Sequence, residues 1–213
     1  MSKSTDNLDV IAEQARLTLA ALDSAREKVL PLCREVIRHS STAIRSIHRQ
    51  EFDQAGELLG AARKLIEEAD GIAKKHRELS HTGFIRDAQK EYAEGCITLA
   101  LITGTRLPDP AELGIDTAAY LNGMGEAVGE LRRYLLDSMR GGDLSHGEEL
   151  LSAMDDIYSL LVTLDFPDAI TSGLRRTTDV TRGILEKTRS DLTLVMRQKD
   201  LENRLREIEG KIG

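Results

Sequence analysis

The sequence predicts an all-α protein, and three observations carry that prediction. Apolar residues recur every three to four positions through most of the chain, which is the spacing of one face of an α-helix. No segment alternates apolar and polar residues for more than a few positions, as a half-buried strand would. Aromatic residues make up 3% of the chain and charged residues 31%, a composition typical of long helices with solvated faces. We expect a bundle of six or seven helices, several of them long.

Proline positions mark the first expected boundaries. A first helix begins near Asp6 and is broken or kinked at Pro31, because proline lacks the backbone N–H that an internal turn requires. A second helical stretch follows over residues 32–49. The apolar pattern then predicts a helix over residues 51–78.

The second half of the chain has clearer caps and stops. Ser80 is the expected cap of a helix that ends near residue 104, and a loop with two prolines follows over residues 105–110. A helix capped by Asp116 or Thr117 should run to residue 140, where two glycines stop it. Residues 143–145 should cap a helix ending near residue 164, and Pro167 should open a last long helix that continues close to the C-terminus.

Length and composition also limit the class of protein. We expect one helical domain over residues 1–213, with residues 1–24 as an N-terminal helical extension. The first residues lack the apolar core of a signal peptide and no run of about 18 apolar residues occurs, so we expect a cytoplasmic protein without membrane contact. Cys33 and Cys96 belong to no Cys/His cluster, which argues against structural zinc. The net charge of −7 means that nucleic acid could be bound only through local basic patches.

Two acidic pairs at helical spacing are the candidate chemical site. Glu91 and Glu94 are three residues apart, and Glu126 and Glu130 are four apart. Either spacing puts both carboxylates on one helix face, with Cβ atoms about 5–6 Å apart. If the two helices face each other, four carboxylates converge and repel one another unless a cation lies between them. Oxygen ligands of this kind suit Mg²⁺ or Mn²⁺, and we predict all four acids as metal ligands.

The surroundings of the pairs distinguish them from chance. Acidic residues number 36 of 213, so pairs at helical spacing arise repeatedly without any function. The segment after Glu94 is apolar on nearly every face, however, which is typical of a buried helix. Gly123, Gly125 and Gly129 beside the second pair suggest close approach of a backbone or a ligand. A purely structural alternative is an ion pair between Glu130 and Arg133 at i,i+3.

Basic residues form two candidate surfaces for phosphate groups. The first is a helical face with residues at spacings of 4, 7 and 4, and the second leads into the first acidic pair. The alternative is that these are solvated faces with salt bridges along one helix. The candidate nucleic-acid-binding residues are Arg34, Arg38, Arg45, His48 and Arg49 in the first group, and Lys74, Lys75, Arg77, His81 and Arg86 in the second.

The acidic motifs also carry a family resemblance. Gln89-Lys90-Glu91-Tyr92-Ala93-Glu94 resembles the Q-E-Y-x-E-A region of Trax, the translin-associated factor X, and residues 126–133 are similar to its D-x-x-G-E-L-x-R helix. The turn over residues 138–143 matches one common to translin and Trax, and residues 44–49 and 61–65 look like archaeal members. The similarity extends from about residue 25 to residue 205, and it identifies the chain as a member of the translin/Trax family.

The resemblance implies a seven-helix translin fold that assembles into a hollow octameric barrel with single-stranded nucleic acid inside. For Trax-type members it also implies a metal-dependent endoribonuclease, whose catalytic acids carry over onto Glu91, Glu94, Glu126 and Glu130. At Glu126 the family pattern has Asp, so the carboxylate here is one methylene further from the backbone.

The predicted function is therefore Mg²⁺- or Mn²⁺-dependent hydrolysis of single-stranded RNA by a homo-octamer, with single-stranded DNA as a second ligand. One alternative is a non-catalytic, translin-like oligomer that binds single-stranded RNA or DNA. Another is a helical scaffold in which the acids are buried salt-bridge partners.

Overall fold

The computed structural model describes residues 5–76, 78–79 and 82–212. Within these residues the chain forms eight α-helices and no β-strand, which confirms the all-α prediction. Six helices are long and two have only four residues. Their bounds are α1 Leu8–His48, α2 Phe52–Ala73, α3 Gly83–Ile102, α4 Pro110–Leu113, α5 Thr117–Arg140, α6 Gly147–Val162, α7 Asp168–Thr171 and α8 Leu174–Ile212.

Helix α1 continues through Pro31, so of the two predicted effects of this proline, a break or a kink, the break is wrong. The helix spans 41 residues with the proline inside it. Val29 and Cys33, on either side of Pro31, are 0% and 3% exposed. Burial of such side chains outweighs the local cost of proline, because tertiary packing overrides helix propensity.

The last helix is divided where the sequence predicted continuity. Pro167 precedes the short helix α7, and α8 starts only after Ser172 and Gly173, whose φ angles are 55° and 86°. Asn122 of α5 holds both sides of this break. Its Nδ2 donates to the carbonyl oxygen of Thr171 at 2.9 Å, and its Oδ1 accepts from Oγ1 of Thr177 at 2.7 Å. The bond to Thr171 pairs a backbone carbonyl oxygen at the end of α7, where a continuous helix would have paired it with a backbone N–H four residues later.

Helix α2 ends at Ala73, earlier than the predicted residue 78, whereas most other boundaries lie close to their predicted positions. Asp116 caps α5 by accepting from the backbone N–H groups of Ala118 and Ala119. The loop with two prolines leads into α4, which begins at Pro110 with a capping box between Asp109 and Glu112. The expected cap Ser80 lies outside the described residues, and the N-cap position of α3 is Thr82. Helix α6 begins at residue 147, slightly after the predicted cap.

The helices pack around one core, and the acidic pairs lie on neighbours in it. Helix α1 packs on α2 and α3, α3 packs on α5, and α5 packs on α6 and α8. The N-terminal part of α1 and the C-terminal part of α8 extend beyond this core with apolar residues exposed. Examples are Leu8 at 55%, Leu19 at 63%, Leu201 at 59% and Leu205 at 51% exposure. The apolar stripes predicted for these segments are therefore not covered within one chain.

Hydropathy gives no sign of a membrane span. Across the part of the chain that the structure describes, none of the helices combines the length and the apolar character that crossing a bilayer requires.

Candidate metal centre and its cleft

Helices α3 and α5 touch through a glycine. A Cβ atom at Gly123 would lie 2.6 Å from the carbonyl oxygen of Lys90 and 3.0 Å from the amide nitrogen of Glu94. Gly125 is also tight, because its Cβ would lie 2.4 Å from Cγ2 of Thr177 on α8. No backbone approaches Gly129 closely, since the nearest neighbour of a Cβ there would be Cδ1 of Ile184 at an ordinary 3.8 Å. The tight contact at Gly123 brings the two acidic pairs together.

Three of the four predicted acids converge. Glu91, Glu94 and Glu126 each offer a carboxylate oxygen, and these oxygens all lie within 4.8 Å of one another. All three residues are partly buried. We call this set the acidic triad. Three convergent carboxylates are a donor set that Mg²⁺ or Mn²⁺ can use, with water completing the coordination.

Glu130 makes different contacts. Its Oε2 lies 2.5 Å from Nε2 of His48 on α1 and 3.8 Å from Nη1 of Arg133. The side chain of His48 is only 7% exposed, so this ion pair or hydrogen bond is largely withdrawn from water. The alternative in which Glu130 pairs with Arg133 is thus present, and His48 is the nearer partner.

Burial and mutual repulsion set the protonation of the acids. Burial, followed by the charges of Glu91, Glu126 and Glu130, raises the pKa of Glu94 to about 8. Burial also raises the pKa of Glu91, although the charge of Lys90 opposes the shift. The hydrogen bond with His48 lowers the pKa of Glu130, against the effect of burial. The triad therefore resists full ionisation unless a cation is added, whereas Glu130 ionises readily.

Lys90 is a monovalent cation already beside the triad. Its Nζ lies 2.7 Å from Oε1 of Glu126, and its side chain is 26% exposed. Burial alone would lower the pKa of Lys90. The hydrogen bond with Glu126 and the charge of that residue oppose burial and together outweigh it, so the pKa of Lys90 is raised. Lys90 is not among the residues predicted for the site, because sequence spacing gives no link between positions 36 residues apart.

A cleft of about 880 Å³ opens beside the triad. Its walls come from α3, α5 and the segment from Ser172 into α8. Arg86, which the sequence analysis selected, lines the cleft and donates from Nη1 to Oγ of Ser172 at 2.6 Å. Arg176 also lines the cleft and was not selected, because no sequence motif connects α8 with the acids.

The arginine face of α1 lies apart from this cleft. Arg34, Arg38, Arg45 and Arg49 are all exposed. Arg38 pairs with Glu35 and Arg49 pairs with Glu51. Part of the face therefore makes local salt bridges, in agreement with the alternative interpretation of a solvated face. His48 does not share the exposed face, since it turns inward to Glu130.

The second basic group is only partly described. Lys74 and Lys75 are exposed, and Lys74 pairs with Asp70 at 2.6 Å. Arg77 and His81 lie outside the described residues.

Comparison with known proteins identifies the family. No family model matches the chain. An uncharacterized protein of Methanocaldococcus jannaschii is 30% identical over 193 residues, which cover 90% of this chain and 85% of that protein. The chain is also similar to AfC3PO in its complex with duplex RNA, with a TM-score of 0.79, 36% identity, and coverage of 88% of this chain and 97% of that one. AfC3PO in its crystal structure gives a TM-score of 0.78 with the same identity and coverage.

A more distant structure has the same fold. Apo-NeC3PO is 20% identical, with a TM-score of 0.75 over 91% of this chain and 100% of that chain. C3PO is a complex of the translin/Trax family. The helical bundle and the sequence identity together lead to one conclusion: the chain belongs to the translin/Trax family.

Proposed function

We propose that this protein is a Mg²⁺- or Mn²⁺-dependent endoribonuclease that hydrolyses phosphodiester bonds in RNA. The observation that carries the proposal is the acidic triad, with three carboxylate oxygens within 4.8 Å of one another in a partly buried cleft. Glu91, Glu94 and Glu126 would hold the ion. When bound, a divalent ion supplies two effects: it lowers the pKa of water and it offsets negative charge on the phosphate.

Glu130 belongs to the proposed site in a different role. Its charge contributes to the raised pKa of both Glu91 and Glu94, so it lies within electrostatic reach of the triad. Its own pKa is lowered, which makes it a weak proton acceptor. We therefore assign Glu130 a charge-stabilising role, with His48 fixing the direction of its carboxylate.

RNA is the proposed substrate because AfC3PO, a relative 36% identical to this chain, has been solved in complex with duplex RNA. The exposed arginines of α1 can bind phosphate groups without reading sequence. We propose single-stranded RNA as the cleaved form and single-stranded DNA as a further ligand. Because AfC3PO was solved with duplex RNA, the assay must compare cleavage of a duplex with cleavage of the single strand.

The test is cleavage of a fluorescent single-stranded RNA and of its duplex, with Mg²⁺, with Mn²⁺ and with EDTA. We expect cleavage of the single strand only with metal, and a loss of about 100-fold or more in Glu91→Gln and Glu126→Gln, because each removes a charged ligand. Glu57→Gln is the matched control, since Glu57 is exposed on α2 away from the triad. Undiminished cleavage by Glu91→Gln would refute the assignment.

We also propose that the protein acts as an oligomer, and that the oligomer is an octameric barrel. Support comes from the exposed apolar residues on both ends of the chain, which include Leu17 at 65% and Leu194 at 62% exposure. Apolar side chains that one chain leaves exposed along two long helices are the surface that an interface between copies would bury. Light scattering should give the mass of eight copies of the 23.5 kDa chain, and a monomer mass would reject the assembly.

A non-catalytic RNA-binding oligomer is the second candidate. It is favoured by the ion pairs that the acids make without any metal, Lys90 with Glu126 and His48 with Glu130. If the wild-type protein binds RNA but does not cleave it with either Mg²⁺ or Mn²⁺, this second candidate is favoured over the nuclease.

A further inference from the structure

The apolar residues near the C-terminal end of α8 lie on the opposite face of that helix from the one that packs on the core. Leu185 and Leu192 are 3% and 1% exposed, and they mark the core-facing side. Leu201 follows Leu192 by nine residues, and each residue turns a helix by about 100°, so its side chain points about 180° away. It is 59% exposed. The core of the same chain therefore cannot cover this part of the helix.

The exposed face has the seven-residue repeat of a coiled coil. Its members alternate at intervals of four and three residues, which are positions d, a, d, a and d of the heptad. The four apolar members are between 51% and 62% exposed, and the residues between Gln198 and Ile208 that are not members are all polar. We call this face the C-terminal stripe, and it consists of Leu194, Gln198, Leu201, Leu205 and Ile208.

The charges beside the C-terminal stripe determine the kind of partner that it fits. Arg197 and Arg204 occupy g positions on one flank, and Glu202 and Glu209 occupy e positions on the other. When two identical helices lie parallel and in register, each g residue faces the e residue five positions further along the second helix. Each arginine here is followed five positions later by a glutamate, so all these contacts attract. An antiparallel pair would instead place arginine against arginine and glutamate against glutamate.

These four charges are not used within one chain. All four are exposed, and none forms a salt bridge with another residue in the part of the chain that the structure describes. The rival explanation is a set of ion pairs along a single helix, such as Asp200 with Arg204 or Glu202 with Arg206. Neither of these two pairs is formed in the structure. The flanking charges therefore remain available to a second helix.

We infer that the C-terminal stripe is the seam of a parallel, two-stranded coiled coil between two copies of this chain. The segment is already helical because it continues from the part of α8 that is anchored in the core, so pairing does not have to start a helix. Gln198 is the one polar member of the stripe, and its amide can both donate to and accept from the same amide of a second copy. A polar residue at a single a position favours one register, because any other register buries it against an apolar partner.

The inference deepens the proposed octamer and rests on the proposed function for self-association. It adds the surface, the orientation and the register with which two copies meet. The contact is closed, because a parallel pair uses the same residues on both copies. An octamer would then contain four such pairs.

Leu201→Cys in the full chain tests the register. A disulfide requires Cβ atoms about 3.5–4.5 Å apart, and the two copies of a d position face each other across the seam of a parallel pair. We expect mild oxidation to give a cross-linked pair with twice the mass of the 23.5 kDa chain on a non-reducing gel. Ile208→Cys, at another d position, should do the same and is available if Leu201→Cys does not fold.

Asn203→Cys is the matched control for the cross-link. Asn203 is exposed two residues from Leu201, at an f position that faces away from the seam. It should cross-link no more than the wild type, in which Cys33 and Cys96 set the background.

Charge reversal in the Leu201→Cys protein tests the choice of partner. Arg204→Glu places acidic residues opposite each other and should slow cross-linking about tenfold, because two attractions become two repulsions. Adding Glu209→Arg exchanges the two charges and should restore the rate. Arg206→Glu is the control, since it reverses a charge at a b position outside the seam and should leave the rate unchanged.

Equal cross-linking of Leu201→Cys and Asn203→Cys would overturn the inference, as would a rate that the second charge exchange does not restore. Failure of the proposed octamer has a different signature. A mass of eight copies without the Leu201→Cys cross-link would keep the octamer and reject the coiled coil. A cross-linked pair with the mass of a dimer would reject the octamer and keep the coiled coil.

Discussion

Nε2 of His48 lies 2.5 Å from Oε2 of Glu130, and this contact joins α1 to α5 beside the acidic triad. The two residues are 82 positions apart in the sequence. Nδ1 of His48 is buried and has no hydrogen-bond partner among the described residues. Since an ionised carboxylate can only accept, Nε2 carries the proton in this contact.

Removal of the ring should destabilise the fold by leaving Glu130 without its main partner. We expect His48→Ala to lower the free energy of unfolding by about 1–3 kcal/mol, the cost of an unsatisfied buried polar group. His48→Gln keeps a side-chain N–H donor and should lose less. Urea unfolding at neutral pH measures both. His146→Ala is the control, because His146 is exposed; an equal effect in the two alanine variants would contradict the role of His48.

The raised pKa of Glu94 predicts that metal-free protein loses stability as pH rises. The pKa of Glu94 in the folded state is about 8, whereas the ordinary pKa of a glutamate is 4.5. Between these values the folded state binds more protons than the unfolded state, so stability falls with increasing pH. Glu94→Gln cannot ionise and should flatten the dependence. Thermal melting in EDTA from pH 5 to pH 9 measures it, and parallel curves for the two proteins would refute the assignment.

Substitution of Gly123 should separate α3 from α5. In Gly123→Ala the new Cβ would meet backbone atoms of Lys90 and Glu94, which cannot rotate away. We expect a loss of about 1–3 kcal/mol in the free energy of unfolding, as overpacking causes, together with weaker Mn²⁺ binding. Calorimetry measures both quantities.

Gly129→Ala provides the internal control for that experiment. Its Cβ would have its nearest neighbour at 3.8 Å, so alanine fits and adds helix propensity. We expect it to be neutral or to stabilise by up to about 1 kcal/mol. Equal destabilisation by both substitutions would mean that the α3–α5 contact is not the cause.

Loss of Lys90 should make the protein more dependent on a divalent ion. Lys90→Gln removes the cation that neutralises Glu126, so repulsion within the triad increases. The melting temperature in EDTA should fall, and the increase on adding Mg²⁺ should be larger than in the wild type, because binding to the folded state is then favoured more. Lys74→Gln, which loses an exposed surface pair, should show the wild-type response to Mg²⁺. Equal Mg²⁺ responses in both variants would count against the role of Lys90.

Local patterns predicted most of the helices but not the two places where tertiary contacts override them. The period of apolar residues and the cap at Asp116 depend on neighbours in sequence, so α5 begins where expected. At Pro31 a buried core holds the helix together despite the proline, and at Ser172 bonds from Asn122 divide a helix that the pattern made continuous. Both effects come from residues distant in the sequence, so the local pattern around Pro31 or Ser172 cannot predict them.

The same distinction applies to the candidate site. Helical spacing placed Glu91 with Glu94, and the glycines beside the second pair suggested that a backbone or a ligand would approach closely. The sequence did not predict that Glu130 would lie outside the triad, because Glu130 contacts His48, a residue of a third helix. Arg176 was missed for the same reason, because its place in the cleft follows from the division between α7 and α8.

The contact at Gly123 has a consequence for recognising relatives that share the site. The glycine lies three residues before Glu126, and the backbone atoms that it touches belong to the segment bearing Glu91 and Glu94. The distance between α3 and α5, and with it the separation of the acids on the two helices, therefore depends on the lack of a side chain at Gly123. A related sequence with every acid in place but a larger residue at this position should have the fold without the acidic cluster. A search for relatives that share the cluster should require a Gly-x-x-Asp/Glu pattern in addition to the acids themselves.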